Sequence, residues 1–65
     1  MLYVVYVRYP CMDGDVWGDD GYFDTIGGAL SHMVKVIESK DRLDVNACML
    51  VDNTTNEMIM THVMR

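Results

Sequence analysis

Sixty-five residues make one domain, 1–65, with a core near the lower limit of independent stability. An apolar fraction of 51% excludes a disordered tail, and no run of about 18 apolar residues is present to cross a membrane. Ten acidic residues against five basic ones give a net charge of −5, and Arg8, Lys35, Lys40, Arg42 and Arg65 are too scattered to neutralise phosphates, which argues against direct nucleic-acid binding.

Along the chain, residues 2–9 are β-branched and aromatic and predict a strand that Pro10 stops. Tyr3, Val5, Val7 and Tyr9 fall on one face, Leu2, Val4 and Tyr6 on the other, so both faces are apolar and the strand is expected in the middle of its sheet. No basic segment precedes this stretch and no small-residue cleavage pattern follows it, so a secretory signal is not expected and a cytoplasmic location is. In that compartment Cys11 and Cys48 are expected as buried or inert free thiols. With His32 and His62 they match no zinc spacing.

Residues 11–24 are rich in turn formers and hold no base. Val16-Trp17 and Tyr22-Phe23 flank Gly18-Asp19-Asp20-Gly21, which reads either as a short hairpin with a four-residue turn or as a loop pinned by its aromatics. A helix follows over 25–40, capped by Asp24 or Thr25 and ended at Asp41. Ile26, Ala29, Leu30, Met33, Val36 and Ile37 form its apolar stripe, with His32 and Lys35 among the polar positions. Residues 44–52 alternate, with Val45, Ala47, Met49 and Val51 predicted to face inward. A turn at 52–56 leads to a last strand, 57–64, with Met58, Met60, His62 and Met64 on one face.

These elements predict an α+β fold: a three- or four-stranded, mainly antiparallel sheet with one α-helix packed on one face, in the order strand, loop or hairpin, helix, strand, strand. One helix covers one sheet face. The other is expected to carry Leu2, Val4, Tyr6 and Leu50 with part of the last strand, an apolar surface suited to a homodimer.

The most distinctive feature is the set of five carboxylates in the twelve residues 13–24, interleaved with aromatic side chains. Asp13, Asp15, Trp17, Asp19, Asp20, Tyr22 and Asp24 are the expected partner-binding residues: aromatics anchor interfaces, and grouped charge speeds encounter with a basic protein surface. The same carboxylates suggest mimicry of a phosphate backbone, since residues two apart on a strand lie roughly 7 Å apart. As an alternative, Asp13, Asp15, Asp19 and Asp24 stand at positions one, three, seven and twelve of a calcium-loop window, with Gly18 at six. Trp17 at five and Asp20 at eight break that pattern, which leaves a divalent-metal or ligand module as the second reading.

No cofactor motif is present. Gly27-Gly28 lacks the rest of a phosphate loop, and neither histidine has a predictable nucleophile or carboxylate partner, so no catalytic residues are assigned. The seven methionines suit adaptable packing better than a soft-metal site. The expected function is stoichiometric protein binding by a small accessory or inhibitor protein, of the kind phages and other mobile elements encode.

Overall fold

Strand β1 (Tyr3–Cys11) pairs along its whole length with β2 (Gly14–Phe23), from Tyr3 opposite Phe23 to Cys11 opposite Gly14. The structure is a computed structural model that describes residues 2–39 and 44–64. Pro10 does not stop β1. The strand is flanked by β3 only as far as Arg8, so at Pro10 no donor is needed on that side. The turn lies at Met12-Asp13, and Gly14 adopts a positive φ of 121° where the chain reverses.

Gly18-Asp19-Asp20-Gly21 is therefore the middle of a strand and not a turn. Gly21 stands opposite Val5 and Gly18 opposite Val7, and the rings of Phe23 and Tyr9 lie over them. A Cβ on Gly21 would come within 2.9 Å of the Phe23 ring, so the glycines make room for aromatic cover. Between Val5 and Tyr6 the register shifts by one residue, a bulge at Asp20.

Helix α1 (Ile26–Glu38) begins at Thr25, whose Oγ1 accepts from the Gly28 N–H at 3.1 Å. The helix ends at Glu38, short of the expected residue 40: Ser39 takes an extended C-cap conformation and its N–H donates to Val36 O, while the expected stop at Asp41 lies outside the described residues. Ala29, Met33 and Val36 are buried against Val5, Val7, Cys48 and Leu50. Ile26, Leu30 and Ile37, expected in the same stripe, remain partly exposed, because one helix covers only part of a four-stranded sheet.

Strands β3 (Ala47–Asp52) and β4 (Glu57–Val63) complete an antiparallel sheet in the order β2-β1-β3-β4. Their turn falls where expected: Asp52 Oδ1 accepts from the Thr54 N–H at 2.8 Å, and Asn56 takes the left-handed conformation at φ 61°. The fold is the expected α+β sheet with a single helix on one face. The facing of β3 is the reverse of the expectation. Val7 pairs with Cys48 and Val5 with Leu50, so these two residues point at α1, while Ala47, Met49 and Val51 face away. Both sets are apolar, and only the register chooses between them. In β4 a bulge at the Leu50/Val51 step divides the methionines: Met60 stands opposite Leu50 and Met58 opposite Val51.

Both cysteines are free, as expected: Cys48 is fully buried, and desolvation pushes its thiol pKa up, whereas Cys11 is exposed. A thiol reagent is expected to label Cys11 at once and Cys48 at least about 100-fold more slowly, because access to Cys48 requires opening a core worth roughly 3–5 kcal/mol. Mass spectrometry of the labelled protein over time checks this; equal rates at the two thiols would contradict the packing of β3.

Candidate functional site

Among the described residues, no element packs over the face of the sheet turned away from α1, which is open. On β1 it carries Val4, Tyr6 and Arg8, and the register with β2 sets Tyr22 opposite Val4, Asp19 opposite Tyr6, Trp17 opposite Arg8 and Asp15 opposite Pro10. Four of the seven residues expected to bind a partner are thus gathered on one surface. The strand does this through its pleat, since alternate side chains share a face. Val4, Ala47 and Val51 form a buried floor. Around it Trp17, Tyr22 and Met58 stand 40–57% exposed, with Tyr6 and Met49 half-buried between them.

Arg8 is held in place from three sides. Its Nε donates to Asn46 Oδ1 at 2.7 Å and lies 3.5 Å from Asp15 Oδ2, and its guanidinium sits 5.6 Å from the centre of the Trp17 ring. The cation fixes the indole and offsets part of the Asp15 charge. Hydrogen bonding to Asp19, together with the negative charge of that carboxylate, holds the Tyr22 phenol pKa above the ordinary tyrosine value.

A folded-state pKa raised in this way means that the bond to Asp19 is present below the unfolded tyrosine value, about 10, and is lost as pH rises through the folded value. Asp19→Asn is therefore expected to make one of the four tyrosines ionise earlier in a near-ultraviolet absorbance titration. An unchanged titration curve would contradict the contact.

The other three expected residues lie elsewhere. Asp13 is in the β1–β2 turn, and Asp24 follows β2, next to the helix cap. Asp20, displaced by the bulge, faces the helix side, where its Oδ2 accepts from His32 Nε2 at 2.7 Å. A carboxylate can only accept, so Nε2 carries the hydrogen. The His32 ring also lies against Phe23, with centroids 5.2 Å apart. This pair joins α1 to β2, and it corrects the expectation of a polar-side histidine without a carboxylate partner. The strand sends the carboxylates of residues 13–24 to different places, and among the described residues no three His, Cys, Asp or Glu side chains converge as a metal site would require.

Comparison with family models, with curated proteins and with solved structures returns no match for this chain.

Sequence reasoning missed Arg8 as part of this surface and set Met49 on the inward side. Arg8 is the single charge in residues 2–9, and only its register opposite Trp17 reveals it as a brace. Asp20 separates from Asp19 because of a one-residue bulge, for which Asp19-Asp20 carries no distinguishing signal.

Proposed function

We propose that this protein acts by stoichiometric binding and that its open sheet face receives a protein partner with a basic rim and an apolar centre. The observation that carries the reading is the placement of Asp15, Trp17, Asp19 and Tyr22 on one exposed face beside Tyr6, Met49 and Met58. Rigid aromatics with braced geometry lose little entropy when they are covered, and two carboxylates at the margin favour a cationic partner. The described residues enclose no cavity, so contact through a broad face suits the molecule better than capture of a small ligand. Occupying a basic surface in this way is how a small accessory or inhibitor protein acts.

The test is capture from a lysate of the organism that encodes the chain, using the native protein and the Trp17→Ser/Tyr22→Ser variant as paired baits, with quantitative mass spectrometry. A partner is expected whose recovery falls at least about 30-fold with the variant, the loss of roughly 2 kcal/mol typical of one interface anchor. Equal recovery of every bound protein by the two baits would reject the open face as the binding surface.

A further inference from the structure

Among the described residues, β4 ends the sheet and is hydrogen-bonded on one side only, to β3. The Met64 N–H donates to Asn46 O at 2.8 Å, and bonded residues alternate along an antiparallel pair. Met60 and His62 therefore turn their backbone groups toward β3, and Thr61 and Val63 turn theirs outward. Such a row is a template for another strand, and proteins usually guard it with charge. The opposite edge, β2, has that protection: Asp15, Asp19 and Asp20 and a bulge. β4 is also bulged, near Ile59, but its only charged residue is Glu57 at one end, and Met58, Ile59, Met60 and Val63 are all exposed.

We propose that β4 pairs with β4 of a second copy, antiparallel about Thr61, joining two four-stranded sheets into one of eight strands. A second copy fits this edge because of charge and register. Two molecules of net charge −5 repel over most of their surface and least where one charge is spread over seven residues. In the register centred on Thr61, Ile59 meets Val63 of the second copy, Met60 meets His62, and Thr61 meets Thr61. No carboxylate faces another within that span, and the β-branched pairs are those that antiparallel sheets favour. The outward backbone groups of Thr61 and Val63 are the ones this register bonds. The contact is the same on both copies, so it closes on a two-fold axis and does not propagate into a fibre.

The helix leaves β4 free for this placement, since it packs on β1, β2 and β3. His32 marks the flank of α1 that faces β2. At 3.6 residues per turn, Ile26, Leu30, Val34 and Ile37 share the opposite flank, the one nearer β4, and all remain exposed. An axis normal to the sheet puts both helices on one side, kept apart by the intervening β4 strands because α1 packs on β1, β2 and β3, so the seam rests on strand pairing and not on helix contact. The two open faces then lie together on the other side, and the seam does not depend on what they bind.

Sedimentation equilibrium of the full chain over a concentration series tests the proposal, with circular dichroism confirming that each variant is folded. The native protein is expected to dimerise with a dissociation constant of about 1–100 μM, in keeping with a small interface. Ile59→Lys/Val63→Lys sets like charges across the seam and is expected to weaken the dimer at least tenfold. Thr61→Lys, which places two cations at the axis, is expected to act in the same direction. Ile59→Lys/Val63→Glu sets opposite charges across the seam and is expected to dimerise again. Trp17→Ser/Tyr22→Ser is expected to leave the dimer intact, which separates this seam from the partner-binding face. A native protein that stays monomeric up to about 1 mM would overturn the proposal, as would a dimer indifferent to the like-charge variants.

Discussion

Leu50→Ala is expected to leave the domain largely unfolded at 25 °C. Leu50 has no exposed surface, lies opposite Val5 and packs in the cluster that joins Met33 and Val36 of α1 to the sheet. Truncating such a leucine costs about 2–5 kcal/mol, through lost transfer energy and the cavity left behind. A single core of this size supplies roughly 3–5 kcal/mol in all. The two magnitudes are comparable, so the loss removes most of the folded population and is more than a small shift of the midpoint. Met49→Ala, one position away and half-buried on the open face, is expected to cost less. Urea unfolding followed by the fluorescence of the single tryptophan, Trp17, measures both. If the two variants were equally stable, the facing of β3 described above would be wrong.

The second large effect concerns association. Asp15→Asn/Asp19→Asn keeps the shape of the open face and removes two charges from a molecule of net −5. With the captured partner, the association rate is expected to fall about tenfold at low salt, since grouped charges raise encounter rates by roughly 10–10³. The dissociation rate should change less. At an ionic strength near 1 M the screening length shrinks to about 3 Å and the two proteins should associate at similar rates. The Asp15 term is expected to be the smaller of the two, because Arg8 already lies 3.5 Å from that carboxylate. Surface plasmon resonance at several salt concentrations checks the pattern; a variant that associates as fast as the native chain at low salt would remove steering from the account.

Much of the fold follows from period and punctuation. The β-branched and aromatic run of β1, the helical spacing of Ala29, Met33 and Val36, and the Asp52–Asn56 turn each have a local physical cause, and each element lies where that cause puts it. What is not local could not be read. Gly18 and Gly21 look like turn residues because their function is to be covered by Tyr9 and Phe23, side chains on a neighbouring strand and further along their own. Cys48 and Leu50 against Ala47, Met49 and Val51 is a choice between two apolar sets, made by pairing with β1. The candidate site shows the same division. Sequence composition picked out Asp15, Trp17, Asp19 and Tyr22, whose shared face comes from the strand pleat, but it could not separate them from Asp20, which the bulge turns to His32.

The most direct test of the binding face is nuclear magnetic resonance of the isotope-labelled protein titrated with its captured partner. The largest shifts are expected at the Trp17 indole and at Tyr6, Asp19, Tyr22 and Met49, with Ala29, Met33 and the His32–Asp20 pair little changed. Shifts centred on α1 with a silent Trp17 indole would contradict the account.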